Sequence, residues 1–411
     1  MRFRVLCAGL AAAALLGSAP AAAQSADEVF DADVLNDITL TLHSADWQKL
    51  KDNFQDNTYY PADFRWRDVT VRNVGIRSRG LGSRSPIKPG LRLDFDRYAT
   101  GQRFVDLKSL VLDNLVQDPS MMKEMLCMRL FSRLGLPAPR EAFVRLYVNH
   151  TLVGLYAVVE SIDKRFLHRV FAQDHGNLFE YDYATDYNFE YLGSDLDSYR
   201  ALFDAKTNES HSTFDLYAPI ERMVRAANET SDAAFATVMG EFLDLNAVAR
   251  HVAAENFVAE NDGLLGYAGM NNFYLYQFGD RPQFQIITWD KDNAFVSADF
   301  PIFARAERNV LLRRSLAIPS LKQAYLDALT GAAVSATEGQ EGNDAGTGWL
   351  AREIERFRTL IAAAAREDTN KPYANSEVDA GVEALRAFAR TRPAYVRCAV
   401  AAESAAGAVC P

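Results

Sequence analysis

The 411-residue chain carries 44 Lys and Arg against 54 Asp and Glu, a formal net charge of -10, with 49% apolar and 11% aromatic residues. That acidic balance argues against a nucleic-acid backbone as the main partner, and the length and apolar content allow one bilobal unit or two tightly joined domains. Beyond the N-terminal leader, Arg, Lys, Asp or Glu interrupts every apolar run before it is long enough to cross a bilayer.

In chain order, Met1-Arg2-Phe3-Arg4, the apolar stretch Val5 to Leu16 and Ala21-Ala22-Ala23 form a charged start, an apolar core and a small-residue cleavage site. This pattern predicts a secretory signal peptide over residues 1–23, and hence a periplasmic or extracellular protein. Loss of Arg2 and Arg4 with the leader takes the net charge from -10 to -12. Cys127, Cys398 and Cys410 then remain; the last two are close enough in sequence to staple the tail, and Cys127 sits in an apolar helical pattern as a buried thiol. No Cys-x-x-Cys or His-Glu-x-x-His spacing supports zinc.

Asp37 to Leu42 alternates polar and apolar as a half-buried strand does, a short helix fits Asp46 to Lys51, and Val69-Thr70-Val71 and Val74-Gly75-Ile76 read as strands around a turn at Arg72-Asn73. Leu91 to Phe95 alternates again. A helix follows, with Asp118 as cap, Pro119 in its first turn and Gly135 and Pro137 as its stop; Met122, Leu126, Leu130 and Leu134 give it one apolar face. Phe143 to Val148 and Leu152 to Val159 form a hairpin about Asn149-His150. From Lys164 the pattern turns helical, at Ser198 to Phe203, Asp215 to Ala227, Asp232 to Phe242 and Leu245 to Asn261. Strands are expected to return once, as a hairpin of Asn272 to Tyr276 and Gln283 to Ile287, before helices at Ser315 to Thr330, Trp349 to Glu367 and Val378 to Arg397. The Gly339 to Gly348 stretch reads as a mobile loop. A strand-rich half followed by a helix-rich half is an α+β arrangement.

Asp262, Asn272, Asp290 and Asp292 are placed to converge at one end of the second hairpin. Hard oxygen donors of this kind suit Mg²⁺, although acidic residues also decorate strand-end loops without a further role. Arg77-Ser78-Arg79-Gly80-Leu81-Gly82-Ser83-Arg84-Ser85, followed by Lys88, is a basic glycine-containing segment that can hold phosphate or lie solvated as an ordinary loop. Glu160 closes a strand and Glu124 sits in the first turns of a helix, where a carboxylate is favoured in any case. No Gly-x-Ser-x-Gly elbow or histidine triad spacing is present, and a carboxylate-pair glycosidase built on Glu260 or Asp262 stays open.

Taken in order, Val74-Gly75-Ile76-Arg77-Ser78-Arg79-Gly80, Lys88-x-x-Leu91-Arg92-Leu93, Asp118-Pro119-Ser120-Met121, Leu134-Gly135-Leu136-Pro137-Ala138-Pro139, Leu146-Tyr147-Val148-Asn149, Gly154-Leu155-Tyr156 through Glu160, Gly176-Asn177-Leu178-Phe179, Asn261-Asp262, Asn271 to Tyr276 and Trp289-Asp290-Lys291-Asp292 resemble the CotH (spore coat protein H) kinase-like family from about Phe30 to Arg397. His150 stands where members of that family often have Gly, at a turn away from the chemistry. The resemblance implies an atypical protein-kinase-like bilobal fold, with an N-lobe over residues 30–163 and a helical C-lobe over residues 164–400. It also implies ATP with Mg²⁺ or Mn²⁺ as cofactors and Ser or Thr of an exported or envelope protein as acceptor. It gives Asp262 the catalytic role, Asn272, Asp290 and Asp292 the metal, and Lys88 and Arg79 the phosphates. Glu160 would stand near the adenine, and Glu124 would be the partner of Lys88. The competing expectation is a non-catalytic adhesion or envelope-assembly module that keeps the fold and uses its acidic loops for Ca²⁺ or a partner.

Overall fold

The computed structural model describes residues 24–342, 344–403 and 410. The leader read over residues 1–23 and Asn343 lie outside the described residues.

After a short helix α1 (Ala26–Val29), the chain forms β1 (Asn36–Thr41), α2 (Ser44–Asp52), β2 (Tyr60–Trp66), β3 (Val69–Ser78), β4 (Leu91–Asp94) and β5 (Ser109–Asp113). Helix α3 (Lys123–Arg133) precedes the hairpin β6 (Glu141–Val148) and β7 (Thr151–Glu160). The seven strands close into a barrel in the order β1-β2-β3-β4-β5-β7-β6, and the parallel pairing of β1 with β6 seals it. Alternation makes this possible: Ile38 and Leu40 of β1 and Phe64 and Trp66 of β2 point inward, where Phe64 meets Phe95 and Phe104 at ring separations of 5.2 and 4.7 Å. Leu155, Ala157 and Val159 of β7 face away from the barrel towards α3, while Tyr156 and Val158 face into it. Covered on both faces, β7 reads as an unbroken apolar run.

Two expectations change here. Arg72-Asn73 is not a turn between strands but a bulge within β3, where the register against β2 shifts and Asn73 takes a φ of 57° with its N–H on Asp63 Oδ1. The inserted residue switches the inward set from Val71 to Val74 and Ile76, and this change of phase imitates a strand break. Helix α3 starts at Lys123, later than Pro119 suggests. Asp118 still serves its N-terminus, accepting the N–H groups of Ser120, Met122 and Lys123.

The second half contains α4 (Lys164–Phe171), β8 (Asn177–Tyr181), α5 (Leu196–Arg200), β9 (Phe203–Ala205), α6 (Thr213–Glu229), α7 (Phe235–Gly240), α8 (Leu245–Phe257), β10 (Phe273–Gln277) and β11 (Phe284–Thr288). Then follow α9 (Val310–Leu316), α10 (Pro319–Thr337), α11 (Trp349–Glu367) and α12 (Asn375–Ala402). Strands therefore return more than once: β8 and β9 extend the β10-β11 hairpin into a four-stranded sheet ordered β11-β10-β8-β9. Phe203 opens β9 rather than ending a helix. The Gly339 to Gly348 segment contains a 3-10 turn at Ala345–Thr347, braced by the Arg352 guanidinium on the carbonyls of Glu338 and Gly339.

The sheet, α3 and the C-terminal helices share one apolar core, and the barrel interior holds another, so the molecule is α+β. Cys398 is disulfide-bonded to Cys410 with Cα atoms 5.6 Å apart, and Cys127 is a buried free thiol, as read from the sequence. Among the described residues no helix is long and apolar enough to cross a membrane.

Candidate functional site

Two connections, from the end of α8 to the start of β10 and onward from the end of β11, are knitted together. Asn261 N donates to Asn293 O, Asn271 N to Gly263 O, Trp289 N to Asn272 O and Phe295 N to Val258 O. Asn272 and Asp290 adopt the left-handed region, with φ of 56° and 48°, a conformation that Asn and Asp tolerate better than other side chains do. Asp262 Oδ2 accepts from Asn271 Nδ2 at 3.0 Å and from Asn272 Nδ2 at 3.3 Å, so the Asn272 amide nitrogen is spent on Asp262 and its carbonyl oxygen is the atom left to ligate.

Beneath these loops lies a charge pair that sequence reasoning passed over. Lys291, fully buried, donates Nζ to Asn272 O and pairs with Glu255 Oε1, both at 2.9 Å. Glu255 Oε2 accepts the Leu264 N–H, and its carboxylate fills the space a side chain at Gly263 would need. Burial opposes both charges, but the pairing wins: Glu255 is held down at about 2 and Lys291 is raised. One ion pair thus grips the segment after Asp262, the backbone of Asn272 and the residue between Asp290 and Asp292. Its only sequence trace is the lysine between two aspartates.

The carboxylates above gather around Arg79. Arg79 Nη1 lies 3.5 Å from Asp113 Oδ2, its guanidinium stands 5.6 Å from the Trp289 ring, and Asp113, Asp290 and Glu124 together hold its charge against the cost of burial. Asp290 is pushed up to about 6, first by burial and then by Asp113. Asp292 is pushed well above the usual carboxylate range by burial and by Asp290. Asp262 is raised too, by burial. Glu124 and Glu141 lie carboxyl to carboxyl and are both driven well up, by burial first. After burial, Glu141 acts most strongly on Glu124, and Asp113 on Glu141. Neither oxygen of Glu141 has an N–H or hydroxyl donor among the described residues.

The structure therefore draws Arg79, Glu124, Asp290 and Asp292 together, adds Asp113 and Glu141, and sets Asp262 and Asn272 at the edge. Asp113 and Glu141 escaped notice because each looks like an ordinary strand-end acid. The group fits a divalent cation: acids crowded together with orphaned oxygens lose their mutual repulsion when a cation displaces the shared protons. Among the described residues no three or more His, Cys, Asp or Glu side chains form a ready metal-ligating group.

Two expected members are placed elsewhere. Lys88 does not meet Glu124; its Nζ pairs with Asp368 Oδ2 at 2.6 Å, both side chains fully buried, and Asp368 also accepts the N–H groups of Leu155, Asn370 and Lys371. Gly154, with φ of 151°, has no side chain where the Asp368 carboxylate packs. Glu160 is engaged by Arg140 at 2.7 Å and Arg169 at 2.5 Å. Glu260 is buried with Oε1 on the Asp262 N–H, beneath the loop rather than across a substrate from Asp262, which disfavours a glycosidase acid pair.

Burial lifts Glu260 to about 7 from its usual 4.5. Since the folded state holds this proton more tightly than the unfolded chain does, the stability it contributes is full below the unfolded value and is lost as the pH rises through about 7. The thermal midpoint of metal-free protein is expected to fall between about pH 5 and about pH 7.5, by an amount worth at most about 3 kcal/mol. Glu260→Gln, which cannot ionise, should flatten that fall. An unchanged slope in the variant would assign it to other acids.

A family profile described as "CotH kinase protein" matches residues 76–396, a span that begins within β3 and contains every residue of the site. The inner spore coat protein H of Bacillus subtilis (strain 168) is 27% identical over 258 residues, covering 62% of this chain and 67% of that protein.

Proposed function

This chain belongs to the CotH family, and from that premise we propose that it is an exported atypical kinase, moving phosphate from ATP to Ser or Thr hydroxyls of an exported or envelope protein with Mg²⁺ or Mn²⁺. The observation that carries this reading is the crowd of buried, proton-hungry carboxylates around Arg79, directly beside Asp262. In this reading the barrel half is the N-lobe (residues 30–163) and the helical half the C-lobe (residues 164–400). The chain after β7 connects them, with Glu160 held there by its two arginines.

A bound Mg²⁺ would neutralise phosphate charge, and Asn272, Asp290 and Asp292 are the residues to hold it. Arg79 takes the phosphates, because Lys88 is committed to Asp368. Asp262, oriented through Oδ2 by Asn271 and Asn272, receives the acceptor hydroxyl's proton on its other oxygen. The Glu255-Lys291 pair keeps those groups in register.

Calorimetry of ATP binding with Mg²⁺ or Mn²⁺, together with self-labelling by labelled ATP, tests the proposal. Metal-dependent binding is expected. Failure to bind nucleotide with either metal would leave the adhesion or assembly module as the reading.

A further inference from the structure

A cleft of about 360 Å³ opens among the loop after α3, the end of α4, the first turns of α8 and β11. No carboxylate lines it. Its polar groups are Ser132, Arg169, Arg250 and Gln285, over an apolar floor that includes Leu136 and Phe171. Arg169 is fixed in place: Nε and Nη2 hold the buried Glu160, and Nη1 has no partner among the described residues. Arg250 is half exposed and its nearest carboxylate, Asp244, stands 3.9 Å away, at the limit of an ion pair. In a chain of net charge -10, a concave surface with two guanidiniums and no acid stands apart.

Three of the elements that line the cleft, α3, α8 and β11, also lead at their other ends to residues of the acidic site, whereas α4 does not. On α3, Ser132 faces the cleft and Glu124 the site, about 12 Å apart at helical rise. Along α8, Arg250 precedes Glu255 and the turn to Asp262. On β11, Gln285 precedes the strand end at Thr288 by about 10 Å of extended chain, two residues before Asp290. We infer that this cleft binds a small anion of phosphate or carboxylate chemistry, clamped by Arg169 and Arg250, and that its occupancy is transmitted along α3, α8 and β11 to the acidic site. Guanidiniums suit both anion types, since their planar forks bond oxygen pairs. The volume suits a small molecule. Only the functional meaning of the transmission rests on the kinase reading.

Pyrophosphate and citrate, titrated calorimetrically into metal-free, nucleotide-free protein, tell which chemistry is preferred. At least one is expected to bind with a dissociation constant on the order of 0.1 mM. Arg250→Gln, at a half-exposed position that folding does not need, should weaken binding at least about tenfold. Arg200→Gln, at an exposed arginine on α5 outside both the cleft and the acidic site, should leave it unchanged. No binding of either probe, equal binding by Arg250→Gln, or loss of binding in Arg200→Gln would overturn the assignment. Backbone hydrogen exchange at residues 260–264 and 289–293 should slow with the anion bound, and no change there would refute the coupling. A failed kinase assay leaves these results standing, because neither ATP nor metal takes part in them.

Discussion

Asp290→Asn is expected to abolish Mg²⁺-dependent nucleotide binding and to lower phosphoryl transfer by at least about 10³-fold, while the protein stays folded. Asp290 is destabilised as an anion in the metal-free protein, pushed up to about 6 by burial and by Asp113, so neutralising it relieves repulsion in the fold while removing the charge a cation needs. Asp262→Asn should separate binding from chemistry: its hydrogen bonds to Asn271 and Asn272 orient it without tying it to the carboxylate crowd, so nucleotide binding should persist and transfer should disappear. Asp292→Asn decides between the two neighbouring acids, and a milder effect there than at Asp290 supports Asp290 as the principal ligand. If calorimetry shows Asp290→Asn binding ATP and Mg²⁺ as the unmodified protein does, the metal belongs elsewhere.

Lys88→Ala should act on stability before it acts on nucleotide. It leaves the Asp368 carboxylate without its cation in a fully buried position, and breaking a buried pair from one side costs about 3–5 kcal/mol. The same carboxylate anchors the chain between α11 and α12 onto β7 through Leu155 N, and Asn370 Nδ2 holds Val153 O beside it, so the barrel and the C-terminal helices should loosen together. A thermal or denaturant midpoint records the loss. Lys88→Met combined with Asp368→Asn, which removes both charges and keeps a side-chain oxygen for the N–H groups of Leu155, Asn370 and Lys371, should recover part of it. An unchanged midpoint with a raised KM for ATP would return Lys88 to the phosphates.

Local pattern was enough for much of this architecture, because a strand or helix announces itself within a few residues of its own sequence. The alternation of Asp37 to Leu42, the Asn149-His150 turn between two apolar runs and the span Trp349 to Glu367 all appear in the structure where their periodicity placed them. Ordered motifs likewise sufficed for the family, and the turn residues around the β10-β11 hairpin for the meeting of Asp262 with Asn272. Periodicity failed where one inserted residue changed its phase, at the Asn73 bulge, and where strands as short as β9 left too few residues to show any period.

What the tertiary structure alone decided was which charge faces which. Lys88 and Asp368, Arg79 and Asp113, Glu124 and Glu141, and Glu160 and Arg140 come from separate elements, and no spacing along the chain encodes their meeting. A buried ionisable group must find compensation wherever the fold brings a partner within reach, since leaving it unpaired in a low-dielectric interior costs more than most packing contacts return. The sequence by itself thus determined the elements, the family and the residue types available for phosphate chemistry. The barrel closure and the docking of α11 and α12 decided that Arg79 stands among the acids while Lys88 holds the two halves together.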